Sequence, residues 1–531
     1  MQDQLENYLL TFYQSEESDQ LTDQLNALGI SKKSDQSSNV KRHKNSKICD
    51  YLIRCDPLQK KLKDCYTIQE IISSISKEFD TSIASCTLNS YNSIEIKLNR
   101  PKVIQEQLHQ IFSDDTFKTN LFKQEPGKQL LINCSAWQWT ESLSLNHLRG
   151  ILVTSHLQRI LKAKGFNTIM VNSLRECAEN TDRSEFIKEF HLEDMCTSEL
   201  VNSARKYEEI LSKLKTKCLE SKYCIYDNGN YFINASHFIK DSGLLEDGIF
   251  KNVELIKVMS CDHVEPILLA VTSLELAVQE ESNSDIITTV NVVPHNKLFY
   301  ATKMSLLWQI LSNKSNAAAI KHQVNVAIER VITVGDINLT LASDLIRLRK
   351  AQMKRASILK YGSTVHDPSW QGIIAEVAST TIKFEMLGTS GNEPLKINVS
   401  SQQTTGSLDK KGATYPPLPP IEKVDFTLLR HEEEWELFFN CIYNCGLFNN
   451  DASFLMNDQT SDLDWRCNKI CQFMTMLCRT FSSYYRSIRI LTEPKPHLFP
   501  VMHARLYLMK AIHLVLINNL ALLNIKPLSQ L

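Results

Sequence analysis

Between Ile470 and Ile488 apolar side chains return every three or four residues (Ile470, Phe473, Leu477, Phe481, Tyr484, Ile488), placing them on one face of a predicted helix. Thr492-Glu493-Pro494-Lys495-Pro496 breaks the pattern. From about Val501 a nearly all-apolar helix then runs through Ala504, Leu508, Ala511, Val515 and Leu516 to Asn518-Asn519. At the other end Leu9, Phe12, Leu21, Leu25 and Leu28 give a patchy helical signal, followed by a polar, basic stretch from Ser31 to Lys47. Ile71, Ile72, Ile75 and Phe79 predict a helix, Ser93 to Leu98 alternates like a half-buried strand, and Val103 to Phe112 is helical again.

The centre of the chain reads differently. Leu130 to Cys134 is a short apolar strand, His147 to Leu161 a helix, and Gly165 to Asn172 a second strand. Strand, loop, helix, glycine turn and strand predict a βαβ unit with a right-handed crossover in a parallel sheet. Val331 to Val334 is a later strand. From Asp344 to Tyr361 a helix sets Leu345, Leu348, Ala351 and Leu359 opposite a basic side, on which Arg347, Lys350 and Lys354 share a face. Two readings of that face stand, a track for a phosphate backbone and a solvated surface. Thr414 to Pro420 (Thr-Tyr-Pro-Pro-Leu-Pro-Pro) is an extended linker.

A chain of 531 residues is too long for one core. The pattern divides it into an N-terminal helix and basic linker (1–47), a small α+β module (48–128), a Rossmann-like α/β domain (129–405), a Pro-rich linker (406–420) and a helical domain (421–531). The expected fold class is α/β plus all-α. The formal net charge is only −1, yet from Arg466 onward Glu493 is the only acidic residue against nine lysines and arginines. Local sorting of that kind points to a polyanion partner. Fifteen cysteines without a short disulfide framework fit a reducing, cytoplasmic setting. No secretion signal and no run of eighteen apolar residues is seen, so no membrane partner is expected.

Phe481-Ser-Ser-Tyr484-Tyr485 with Ile490-Leu491, His503-Ala504-Arg505-Leu506, and Asn518-Asn519-Leu520-Ala521-Leu522-Leu523-Asn524-Ile525 resemble the DALR anticodon-binding domain that ends arginyl-tRNA synthetases. Asn519 and Asn524 stand where that family has glycine, at positions favouring a left-handed backbone, and Asn is the next-best residue there. The closing Pro527-Leu528-Ser529 and the run Phe426 to Trp435 narrow the likeness to relatives that do not charge tRNA. The resemblance implies recognition of arginine tRNA and support for a partner methyltransferase that makes 3-methylcytidine in the anticodon loop. It also implies an elbow-binding role for the 48–128 module, for which a small domain without an RNA role is an equal reading.

The synthetases place His-x-Gly-His-Leu-Arg at the head of the first Rossmann helix. Here Ser144 replaces the first histidine and Asn146 the glycine, whereas His147, Leu148 and Arg149 match. A side chain at 146 would stand where the nucleotide must approach, and one lost donor costs roughly 10²–10³ in rate. The lysine-rich loop expected after a late strand is missing after Val334, and Lys303-Met304-Ser305 opens a helix elsewhere. Adenylate formation is therefore not expected, and neither is a cofactor or a methyl-donor pocket. A divergent active synthetase is the alternative. Cys441/Cys445 and Cys467/Cys471 offer four thiolates, but at helical i, i+4 spacing, so buried free cysteines compete with a zinc site. The expected tRNA-binding residues are Tyr485, Arg486, Arg489, Arg505, Lys510, Arg347, Lys350 and Lys354. Tyr485 beside Arg486 is suited to stack an unpaired base.

Overall fold

A computed structural model describes residues 40–42, 49–55, 67–113, 129–134, 143–171, 181–195, 201–242, 253–261, 263–280, 286–312, 323–334, 339–398, 416–443, 462–463, 468–493 and 495–527. The chain divides into two compact units that cut across the sequence-based boundaries. One comprises Met1–Phe117, Gly412–Asn444 and Leu477–His513, the other Lys118–Lys411, Cys445–Met476 and Leu514–Leu531.

The first unit is built on an antiparallel sheet in the order β1-β2-β4-β3, from Val40–Arg42, Tyr51–Arg54, Ser93–Leu98 and Ile83–Leu88 respectively. β1 lies inside the stretch expected to be a basic linker. Its pairing with β2 makes part of that stretch a sheet edge. The helix α1 (Ile68–Glu78) starts with a reciprocal Thr67/Glu70 capping box, and α2 (Arg100–Ser113) follows β4 directly. Both fall where the periodicity predicts.

The second unit carries a parallel sheet. β5 (Gln129–Asn133) is joined through α3 (Leu145–Ala163) to β6 (Asn167–Val171), as the βαβ pattern predicts. α4 (Thr181–Glu189) and α5 (Val201–Glu220) lead to a small antiparallel sheet of β7 (Cys224–Asp227), β8 (Asn230–Asn234) and β9 (Leu255–Ser260), with α6 (Ala235–Ser242) between β8 and β9. The chain returns through α7 (Pro266–Glu280), β10 (Ile286–Pro294), α8 (Leu298–Leu311) and β11 (Gln323–Ile328). The five-stranded order is β14-β11-β10-β5-β6, β14 being Asp462–Leu463. Leu130, Ile132, Val290 and Val326 pack under α3, whereas Leu131 and Val171 pack toward α5, α7 and α8, so both faces are covered. On the α8 side, register partners Asn133, Asn291 and Asn325 form an amide ladder. Asn133 donates to Asn291 Oδ1 at 2.7 Å, and Asn291 to Asn325 Oδ1 at 3.1 Å. Buried amides joined in this way are satisfied and pin the strand register.

The strand Val331–Val334, β12, stands outside that sheet and pairs in parallel with β13 (Leu395–Asn398). Between them lie α9 (Ala342–Tyr361) and α10 (Ser369–Leu387). On α9, Leu345 is buried, but Ala351 and Leu359 are exposed rather than on an apolar side. Lys303-Met304-Ser305 lies inside α8 and not at its opening, with Met304 and Ser305 buried.

At the C-terminal end come α11 (Glu432–Phe438), α12 (Lys469–Ser487) and α13 (Phe499–Leu522). Most of the predicted stripe of α12 is inside: Ile470, Phe473, Leu477 and Tyr484 are buried, as is Ile488 just past its end, whereas Phe481 is only partly covered. α13 is long and apolar enough to cross a membrane by length and composition, but Met502, Ala504, Leu508, Ala511, Ile512 and Val515 are buried within the protein. Asn524 has the expected left-handed backbone (φ 57°). Asn519 does not: it lies within α13, buried, and donates to Val515 O at 2.8 Å.

Candidate nucleotide site and candidate nucleic-acid interface

In open parallel sheets, ligands sit beyond the carboxyl ends of the strands where the chain order reverses. Here that point lies between β5 and β10, and α3 begins there. Ser144 caps α3 by accepting the His147 N–H at 3.2 Å. Asn146 Oδ1 accepts the Val331 N–H at 2.7 Å, tying the helix start to β12. The side chain at the position of the family's glycine therefore has a structural partner. His147 is partly buried, and burial, then neighbouring Lys297, lowers its pKa. His295 Nδ1 lies 3.2 Å from Glu329 Oε1 on the same side of the sheet.

Arg149, the matching arginine, is fully buried and acts as a clamp. Its guanidinium donates to the carbonyls of Glu329 (2.8 Å), Glu393 (3.0 Å), Thr389 (3.4 Å) and Ser390 (2.8 Å). It fixes the segments flanking β12 and β13 and faces no open space. Residues 335–338, where the lysine-rich loop would begin, lie outside the described residues.

The basic residues of the C-terminal helices separate into two kinds. Tyr485, Arg486 and Arg489 are exposed, with Tyr485 stacked on Phe481 at 5.9 Å and Arg489 Nε donating to Leu491 O. Arg479 is also exposed, seven residues before Arg486 and so on the same side of α12. Sequence reasoning counted Arg479 only in the charge tally; its helical spacing from Arg486 was the available signal. Lys510 is exposed, with Nζ 5.1 Å from the Phe112 ring centre and 5.8 Å from that of Tyr507. Arg505 departs from expectation. It is buried, its Nε lies 2.7 Å from Glu434 Oε1, and it donates to Arg489 O at 3.0 Å. It is an internal ion-pair residue, its guanidinium turned to partners within the protein rather than to solvent.

On α9 the expected trio also divides. Lys350 pairs with Glu189 at 2.9 Å and Arg347 with Asp344 at 3.2 Å, whereas Lys354 is exposed. Cys441 and Cys471 are buried; Cys445 and Cys467 lie outside the described residues. Another internal network went unread in the sequence. Buried Asp50 accepts the Trp435 indole N–H (2.9 Å) and the Leu98 N–H (2.8 Å), and lies 3.5 Å from Arg100. Arg100 also forks onto Glu432 at 2.8 and 3.2 Å.

The parallel sheet with its degenerate helix head, followed by the C-terminal helices, defines a class: a protein with the arginyl-tRNA synthetase fold and a C-terminal DALR module. Residues 420–531 match the family model described as DALR anticodon binding domain. Solved arginyl-tRNA synthetases from Thermus thermophilus and Plasmodium falciparum superpose with TM-scores of 0.58 and 0.59. Each alignment covers 99% of both chains, at 13% and 14% identity. More particularly, the chain is similar to DALR anticodon-binding domain-containing protein 3. It is 27% identical to that of Mus musculus over 82% of this chain and 84% of the relative, and 25% identical to that of Danio rerio over 76% and 77%. An arginine–tRNA ligase of Borrelia hermsii is 19% identical over 88% of this chain and 89% of the ligase.

Proposed function

We propose that this protein is a non-catalytic tRNA-binding factor of the cytoplasm. In this reading it recognises arginine tRNA through its C-terminal helices and supports 3-methylcytidine formation in the anticodon loop by a partner methyltransferase. The observation that carries the reading is the exposed side of α12. Arg479 and Arg486 lie in line with Tyr485 alongside, and among the described residues no carboxylate is paired with either arginine. A cationic stripe beside an accessible aromatic ring suits a phosphate backbone next to an unstacked base. The methyltransferase and the choice of arginine tRNA rest on likeness to the relatives.

The non-catalytic part is supported by the head of α3, where Asn146 is bonded to Val331 and Arg149 is committed to four carbonyls. Two measurements test the proposal. Filter binding of arginine tRNA across a salt series should give an affinity that falls steeply with salt, and R479A/R486A should weaken it with the fold intact. Unchanged binding by that variant, or salt-insensitive binding, counts against the reading. Pyrophosphate exchange with ATP, arginine and tRNA well above background would favour the alternative, an active arginyl-tRNA synthetase.

A further inference from the structure

The hairpin between α9 and α10 carries a second concentration of unpaired positive charge. Lys354, Arg355 and Lys360 are exposed, and none is paired with a carboxylate among the described residues. Between residues 351 and 372 the sequence holds one acidic side chain, Asp367. Lys354 and Tyr361 are seven residues apart and so lie on one side of the helix.

The chain turns at Gly362 with a positive φ of 68°, and the turn brings two aromatic rings together at the tip. Tyr361 and Trp370 have ring centres 5.0 Å apart at an interplanar angle of 46°, and Lys360 Nζ lies 4.8 Å over the Tyr361 ring. Both rings are only partly covered, and beside them Leu359 is 73% exposed. Exposed cations beside a half-open aromatic pair suit an unpaired stretch of nucleic acid, which offers phosphates and unstacked bases together.

We propose that the α9–α10 tip is a second RNA contact, in which Lys354, Arg355 and Lys360 neutralise phosphates while Trp370 with Tyr361 offers a stacking face for an unpaired base. The inference rests on the tRNA-binding reading above, but it concerns residues outside the anticodon module and a second looped region of the same RNA. It also relocates the contact on α9. The face expected from the sequence ran through Arg347, Lys350 and Lys354; the first two are paired, and Lys354 alone carries over to the tip, which lies C-terminal to them.

The test compares three full-length proteins on an arginine tRNA transcript: wild type, K354E/R355E/K360E, and R479E/R486E. If the tip is a contact, its triple variant weakens binding by at least tenfold near 0.1 M salt. Its salt slope drops by roughly two, as expected for three single-strand phosphate contacts. Nuclease protection should vanish from one looped segment and persist over the anticodon loop, with R479E/R486E giving the reverse. W370A should lose roughly tenfold in affinity with the salt slope unchanged. Wild-type affinity, slope and protection in the triple variant would overturn the proposal and leave the tip to a protein partner, with the anticodon contact standing. Failure of the wild type to bind tRNA would sink both.

Discussion

Arg505 Nε and Glu434 Oε1 lie 2.7 Å apart inside the first unit, with Glu434 fully buried and Arg505 nearly so. The arginine also holds the carbonyl of Arg489, and Glu434 Oε2 accepts the His431 N–H at 3.0 Å. Removing one member of a buried pair strands the other, at a cost of about 3–5 kcal/mol. R505A is therefore expected to lower the urea midpoint strongly, whereas R486A, on the surface, should leave it unchanged. The double replacement E434L/R505M should recover much of the loss. A small effect of R505A on unfolding, with a large one on RNA binding, would return Arg505 to the interface.

The same kind of experiment applies to Arg149. Four backbone carbonyls depend on its planar fork, and an unpaired buried carbonyl costs about 1–3 kcal/mol. R149A should destabilise the protein severely, and R149K should rescue little, because an ammonium cannot reach four acceptors spread around a plane. Thermal melts of the two variants decide it: a lysine that restores the wild-type midpoint would mean the clamp is a point charge only.

The case of Asn146 separates loss of activity from loss of structure. N146G restores the glycine of the synthetase motif but deletes the 2.7 Å bond to the Val331 N–H. A net cost of about 1 kcal/mol in stability is expected, with pyrophosphate exchange still at background because the other motif residues remain altered. Exchange rising by orders of magnitude in N146G would show that one side chain had silenced the site.

What the sequence disclosed follows from which signals are local. The βαβ unit, α12 and α13 were legible because their apolar spacing is set by the period of the element itself. Asn524 was legible through the backbone conformation its position demands; Asn519, with the same substitution, was not, since it lies inside α13. Charge was the poorer guide. Arg505 and Lys350 read as RNA-facing cations and Arg149 as a motif residue, yet each is defined by a distant partner: Glu434, Glu189 and four carbonyls respectively. The Asn133–Asn291–Asn325 ladder shows the same limit, one amide in each of three apolar strands becoming a network only when register is known. Val40–Arg42 was too short to read as a strand without β2 beside it.

Lys383 gives a pH dependence whose sign can be worked out. It is buried on α10, its ammonium donates to the Asn524 carbonyl, and burial pulls its pKa down to about 8 from the ordinary lysine value of 10.5. Below pH 8 the lysine is charged in both the folded and unfolded protein, so the folded state carries the full cost of a buried cation. Between about pH 8 and 10.5 the unfolded chain holds more protons than the folded one, so this residue's contribution makes stability rise with pH across that window. K383M removes the titrating group. Its stability relative to wild type should therefore be most favourable at pH 7 and should decline through pH 8 to 10, the two proteins being compared by urea unfolding at each pH. Parallel curves for the two proteins across that range would mean that the lysine keeps its ordinary pKa and is reached by water.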